Sequence, residues 1–294
     1  MLTPSEIKEI YLQHDILMPN KRLGQNFLVN QDILNALIAA AQLDKNDTVL
    51  EIGGGLGTVT TEIAKYVGRV VTIEKDRALI PILREQTANY KNIEIIEGDA
   101  LRIQNTEYRI QDYKLVGTPP YYLTARLFRK FLDEEPIRPS RIAVIIQKEV
   151  AQKICAKTPD MNPVRGREGS QRRSTSNGMN LLALSVQLYG NPTIVRIVSK
   201  GAFWPQPTVD SALLVVDVYP SPVIAEKDIP LFFKIAKAGF AHPRQQLQKT
   251  LSQGLGLPKE KITIWLAQND IEQTRRPETL SLNEWKTLVN RYPL

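Results

Sequence analysis

Three acidic or glycine-rich stretches stand in an order that can hold a nucleoside-bearing cofactor. The first, Glu51-Ile-Gly-Gly-Gly-Leu-Gly57, follows the apolar run Thr48–Ile52 and precedes the helix-like segment from Thr58 to Lys65. Glycines such as Gly53 and Gly55 permit positive φ and close approach of the backbone to a ligand. A turn of this kind can equally hold a dinucleotide pyrophosphate on a helix N-terminus, so it does not choose the cofactor alone. Glu74 ends the next strand-like run, Arg69–Glu74, where its carboxylate can accept two hydrogen bonds from ribose hydroxyls. A dinucleotide site would use an acid there as well. Asp99, flanked by Gly98 and Ala100, follows the run Ile93–Ile96 and can accept from an adenine amine. That third acid suits S-adenosyl-L-methionine better than a dinucleotide. Singly, each acid reads as a solvent-facing loop residue; the ordered set is what points to a cofactor site.

A fourth stretch, Gly117-Thr-Pro-Pro-Tyr-Tyr122, carries a different chemistry. Pro119 and Pro120 cannot continue a central strand or donate amides, so they fix an extended, rigid segment. That rigidity aims carbonyls and the Tyr121 ring at a flat base. Methylation of an exocyclic amine needs acceptors that orient its hydrogens and a surface tolerant of positive charge on nitrogen. An aromatic face supplies stacking and cation–π attraction. No strong general base is needed, because the proton leaves after the amine becomes cationic. The competing reading is a proline-rich turn with a packing tyrosine. Farther on, Gly201–Ser211 adds Phe203 and Trp204 between more prolines. Phe203 is expected to close the other face of a base flipped from its stack, with core packing as the competing role.

The elements that must position these residues alternate. Strand-like runs at Thr48–Ile52, Arg69–Glu74, Ile93–Ile96, Tyr113–Gly117 and Ile142–Ile146 are separated by helix-like segments, one of them capped by Asp76. This pattern predicts an α/β doubly wound parallel sheet with ligands at the carboxyl ends of its strands. Residues 157–178 lack periodicity and carry Lys157, Arg165, Arg167, Arg172 and Arg173 against Asp160 and Glu168, which reads as a mobile basic loop. Its alternatives are a solvated insertion and an RNA-touching arm. Strand-like runs resume at Thr193–Val198 and Ser211–Val218. The pattern then turns helical at Pro230–Phe240, Gln245–Gly254, Lys259–Gln268 and Leu282–Arg291. The expected organisation is a Rossmann-like domain at residues 1–221 and a small helical RNA-binding domain at 222–294.

The 294 residues carry 43% hydrophobic and 23% charged side chains, ordinary values for a globular protein. One cysteine, Cys155, excludes an internal disulfide framework and a cysteine zinc cluster, and fits a reducing cytoplasm. The N-terminus lacks the basic start and apolar run of a secretory signal, and no apolar stretch approaches the roughly 20 residues that span a bilayer. A soluble, cytoplasmic, monomeric protein without a metal is expected. A formal charge of +7 favours a polyanionic partner.

Together these residues resemble the KsgA family of ribosomal RNA small-subunit adenine N6-dimethyltransferases. Lys21-Arg-Leu-Gly-Gln-Asn-Phe-Leu28 is similar to that family's N-terminal cofactor-clamping motif, and Phe203–Ser211 to its F-x-P-x-P-x-V-D-S stretch, with Thr208 where lysine is usual. Phe240–Leu251 and Arg275–Trp285 resemble the opening and closing motifs of its helical domain. The likeness covers residues 21–291, interrupted by 157–178. It implies a class I methyltransferase fold and transfer of four methyl groups to two adjacent adenines near the 3′ end of small-subunit RNA. It also implies a part in maturation of the immature small ribosomal subunit. The implied cofactor set is Asn26, Leu28, Gly53, Gly55, Glu74, Asp99, Ala100 and Thr118; the catalytic set is Thr118, Pro119, Tyr121 and Phe203. Lys21, Arg22 and Arg244, with the loop arginines, are candidate phosphate contacts. The Arg-Arg motif favours this branch over the related large-subunit enzymes.

One departure stands out. The family writes Asn-Leu-Pro-Tyr or Asn-Ile-Pro-Tyr where this chain has Thr118-Pro119-Pro120-Tyr121. A threonine hydroxyl accepts a hydrogen bond but is shorter than an amide. The expectation is that cofactor binding and activity persist, with slower transfer or arrest at monomethylation. The rival readings are a non-catalytic RNA-binding assembly factor and a small-molecule methyltransferase.

Overall fold

A computed structural model of the chain describes residues 1–104, 110–157 and 178–292. Thr3 caps the first helix, α1 (Pro4–Gln13), by a reciprocal capping box with Glu6, and Pro4 stands at its first turn. A two-residue strand, β1 (Phe27–Leu28), leads to α2 (Gln31–Ala41), capped by the Asn30 side chain. Its buried Ile33, Leu34, Leu37, Ile38 and Ala41 form one helical stripe.

The alternating part follows: β2 (Thr48–Ile52), α3 (Thr58–Ala64), β3 (Arg69–Glu74), α4 (Ile80–Thr87), β4 (Ile93–Glu97), β5 (Lys114–Gly117), α5 (Thr124–Arg129), β6 (Arg141–Gln147) and α6 (Lys148–Ile154). After α7 (Leu181–Gln187) come β7 (Gly190–Val198), β8 (Phe203–Trp204) and β9 (Ser211–Val218). Among the described residues, seven strands form one sheet in the order β4-β3-β2-β5-β6-β9-β7. The first five pair in parallel, while β9 runs antiparallel to both β6 and β7. This is the α/β, Rossmann-like arrangement that the alternating pattern predicts. Strands β2, β5 and β6 are almost wholly buried, as parallel strands covered on both faces must be. Strand order reverses between β2 and β5, which puts a ligand crevice at their carboxyl ends.

The described chain forms two compact units, Met1–Ala151 with Gly190–Pro220, and Gln152–Tyr189 with Ser221–Leu294. The expected boundary near residue 221 puts Gln152–Tyr189 in the N-terminal domain; the structure groups it with the C-terminal helices. There Gln187 Nε2 donates to the carbonyls of Ile154 and Ala156, and the Met179 amide donates to Glu278. Those helices are α8 (Ile229–Phe240), α9 (Leu247–Leu255), α10 (Lys259–Gln268) and α11 (Leu282–Asn290), packed around buried Phe232, Trp265 and Trp285. Arg275 belongs to their internal framework: its guanidinium bonds the Glu284 carboxylate and the Thr279 carbonyl. Most of the basic segment lies outside the described residues. No described helix is long and apolar enough to cross a membrane.

Candidate active site

The crevice at the strand-order reversal is a cleft open to solvent, formed wholly within the first unit. The glycine turn is its floor. Gly53 and Gly55 hold φ of 84° and 56°, a region in which side chains other than glycine are strained. A Cβ on Gly55 would also stand 3.2 Å from the Phe27 ring, which would have to give way by a few tenths of an ångström.

Two carboxylates face this turn differently. Glu74 is buried; one oxygen accepts the Gly55 amide at 2.8 Å and the other the Asp76 amide at 2.7 Å. Burial pushes its carboxyl above the ordinary range, against the pull of those amides. Each oxygen keeps a second lone pair for a diol. Asp99 is more open. Burial raises its carboxyl, but the Leu101 amide at 3.0 Å, the Lys75 ammonium at 3.0 Å and nearby Arg102 together hold it below the usual aspartate range. A third acid, Glu51, lies beneath the turn at 1% exposure. Burial pushes its carboxyl up to about 7, against the hydrogen bond donated by Thr60 at 2.5 Å.

Of the residues read from the sequence, Asn26, Leu28, Gly53, Gly55, Glu74, Asp99, Ala100 and Thr118 all line the cleft. Asn26 is held there by donation to the Gly24 carbonyl at 3.0 Å. Pro120 lines it as well, while Pro119 is buried beside it. Tyr121 is half-buried and, like Pro119, not among the cleft-lining residues; its hydroxyl lies 2.6 Å from Ser211 Oγ. Phe203 departs from expectation. Antiparallel pairing of Leu28 with Phe203 draws that ring into the core, where it is 4% exposed and not among the cleft-lining residues. Asp76 is not the N-cap of α4, which is Leu79; one of its oxygens accepts the Ala78 amide at 3.1 Å in the turn ahead of the helix and the other the Gln25 side-chain amide at 2.6 Å. Arg22 and Arg244 are exposed. Arg165, Arg167, Arg172 and Arg173 lie outside the described residues.

This geometry has known relatives. The model of a family described as ribosomal RNA adenine dimethylase matches residues 17–292. The chain belongs to the ribosomal RNA adenine dimethylase family. Curated proteins named ribosomal RNA small subunit methyltransferase A agree with that membership. One from Dehalococcoides mccartyi is 43% identical over 94% of this chain and 89% of its own. Another, from Alkaliphilus oremlandii, is 32% identical over 98% and 96%. Among solved structures, a dimethyladenosine transferase from Plasmodium falciparum superposes with a TM-score of 0.73 at 23% identity, covering 89% of this chain and 95% of that one. The 23S rRNA methyltransferase ErmE gives 0.69 at 21%, covering 90% and 99%. At such identities these two speak for the dimethylase fold alone.

Several dimethylase cleft residues carried no signal in a single sequence. Lys75, next to Glu74, is read only when its ammonium is seen on Asp99. Tyr122, 53% exposed, lines the cleft against Gly24, whereas its neighbour Tyr121 does not line it. Leu56, Leu79 and Phe27 supply apolar walls.

Proposed function

We propose that this chain holds S-adenosyl-L-methionine in the cleft and methylates N6 of two adjacent adenines near the 3′ end of small-subunit ribosomal RNA. It would act as a cytoplasmic monomer on the immature small subunit. The observation that carries this reading is the meeting, in one cleft, of two differently set carboxylates with Thr118 and Pro120 of the rigid segment. The lining fits the cofactor chemically. Glu74 has acceptor capacity for a ribose diol, Asp99 is an ionised acceptor for an adenine amine, and the turn at Gly53 and Gly55 admits close backbone approach. Asn26 and Leu28 would cover it from β1, with Ala100 beside the adenine. When bound, S-adenosyl-L-methionine supplies an electrophilic methyl group on a sulfonium.

The chain's own part is orientation. The Thr118 hydroxyl and the Pro119 carbonyl accept the hydrogens of the target amine and turn its lone pair toward the cofactor end of the cleft. Neither proline can donate, so at Pro119 and Pro120 the segment presents only carbonyl acceptors. Tyr121 offers a ring face to the base. Its phenol is raised by burial and fixed on Ser211, so it stays neutral and serves as a surface rather than a base. The exposed ring of Tyr122 is available where Phe203 is not. Lys21, Arg22 and Arg244 would contact phosphates, and the helical domain would help grip RNA.

The test supplies purified protein with labelled S-adenosyl-L-methionine and under-methylated small ribosomal subunits, and reads nucleosides by mass spectrometry. Dimethyladenosine at adjacent positions is the expected result. No methyladenosine, despite demonstrated cofactor and subunit binding, would leave a non-catalytic assembly factor, the rival that Thr118 motivates. A Thr118→Asn variant belongs in the same experiment. It restores the longer amide acceptor and should raise the single-turnover rate, by up to roughly 100-fold if one well-aimed hydrogen bond is regained.

A further inference from the structure

Helix α1 lies outside the matched residues 17–292, yet it is packed behind the cleft. Its Ile7 and Tyr11 are buried with Leu56, Leu79 and Ile82, and Phe27 packs against the same cluster. Leu56, Leu79 and Phe27 are walls of the cleft. The Tyr11 ring meets Phe27 edge-on, with centroids 6.1 Å apart and planes at 82°, and meets Trp204 in the same manner at 6.5 Å. Phe27 in turn presses against the turn at Gly55. His14, at the end of the helix, reaches Glu85 of α4 at 3.1 Å.

Packing accounts for a ring at position 11 but not for a hydroxyl. Tyr11 is 2% exposed, and its hydroxyl has no hydrogen-bond partner among the described residues. A buried hydroxyl without a partner is costly, and phenylalanine would fill the same space at no such cost. The nearby polar groups form a chain: Gln25 donates to Asp76, the Asp76 amide donates to Glu74, and Glu74 accepts from Gly55. Burial, and after it the charges of Asp76 and Glu74, hold the Tyr11 phenol well above its ordinary range, so it is a donor at every working pH.

We propose that Tyr11 is a positioning residue of the cofactor site, its ring bracing Phe27 against the glycine turn and its hydroxyl joining the Gln25–Asp76–Glu74 chain when a ribose diol occupies Glu74. This role rests on the cleft being the S-adenosyl-L-methionine site. Glu74 has amides on both oxygens, and a diol adds two further donors. Small shifts of that carboxylate and of Asp76 then bring an acceptor to the phenol, and the hydroxyl's cost is relieved only in the loaded protein.

The test is calorimetric titration of the full-length protein with S-adenosylhomocysteine, alongside the melting temperature without ligand. Tyr11→Phe should bind roughly fivefold more weakly, the yield of one neutral hydrogen bond, while melting no lower than the parent. Tyr11→Leu, which removes the brace, should bind more weakly still and melt lower. Equal affinity of parent and Tyr11→Phe would overturn the hydroxyl's role, and equal affinity of Tyr11→Leu that of the ring. Glu74→Ala separates the two levels. If it too binds as the parent does, or the parent binds nothing, the cofactor reading of the cleft fails and Tyr11 falls with it. If Glu74→Ala abolishes binding and both Tyr11 variants bind normally, only the Tyr11 assignment is lost.

Discussion

Tyr121 and Ser211 belong to two separate motifs, and the 2.6 Å contact between their hydroxyls is where the motifs meet. Ser211 opens β9 at 0% exposure, so its position is fixed by the sheet and it can hold the tyrosine ring at one angle. Tyr121→Phe and Ser211→Ala should each lower the methylation rate about five- to tenfold, and the double variant should be little worse than either, because one interaction is removed three ways. Additive losses in single-turnover rates would show that the contact is incidental. Glu51 gives a residue-scale prediction of another kind. Its carboxyl, raised by burial to about 7, binds a proton more tightly in the folded chain than in the unfolded one. Its contribution to stability is therefore fully present below about pH 4.5 and lost as pH climbs through 7. Glu51→Gln removes that loss, so urea melts at pH 5 and pH 8 should show the variant gaining on the parent at the higher pH. The same offset at both values would mean that Glu51 does not titrate in this window.

At the scale of elements, the glycine turn shows how a strand and a helix are brought close enough to leave a cleft. Gly54 has an ordinary φ, but a Cβ there would stand 2.5 Å from Thr72 Oγ1 on β3 and 2.8 Å from Leu83 on α4. Both neighbours are fully buried and cannot yield. Gly54→Ala should destabilise the protein by about 1–3 kcal/mol in urea melts, and wild-type stability would refute the close packing. The turn, its flanking strand and helix, and the acids at the ends of β3 and β4 were legible in the sequence because they are local: each motif sits on the element that carries it. Helices α1 and α2 have local signals too, the Thr3–Glu6 capping box and the apolar stripe from Ile33 to Ala41. The pairing of β1 with β8 was not legible. Two-residue strands have no periodicity, and their register, Leu28 opposite Phe203, is what takes Phe203 into the core and out of the base pocket. Asp76 misled for the same reason, since its partner Gln25 lies far away in the chain.

At the scale of the whole molecule, 38 basic side chains stand against 31 acidic ones, and that excess bears on partners rather than on fold. The structure shows that some of the cations are committed internally, each to one acid, so the excess itself is unchanged: Arg275 is tied to Glu284, Lys114 to Asp47, and Lys130 to Glu135 in a buried pair. Sequence could not separate these from free cations, which is why the Arg-Arg motif read as a family marker while Arg275 turns out to hold α11 in place. Arg22 and Arg244, by contrast, are exposed. If they meet phosphates, each releases a counterion on binding, and the logarithm of the association constant should fall linearly with the logarithm of salt concentration. Replacing either with glutamine should weaken binding to small-subunit RNA across sequences and make that slope shallower by roughly one, leaving S-adenosylhomocysteine affinity unchanged. A slope unaltered in either variant would identify that arginine as a solvated surface charge. A parent protein with no RNA affinity even at low salt would revive the small-molecule methyltransferase reading, because a polyanion held by counterion release binds best where salt is scarce.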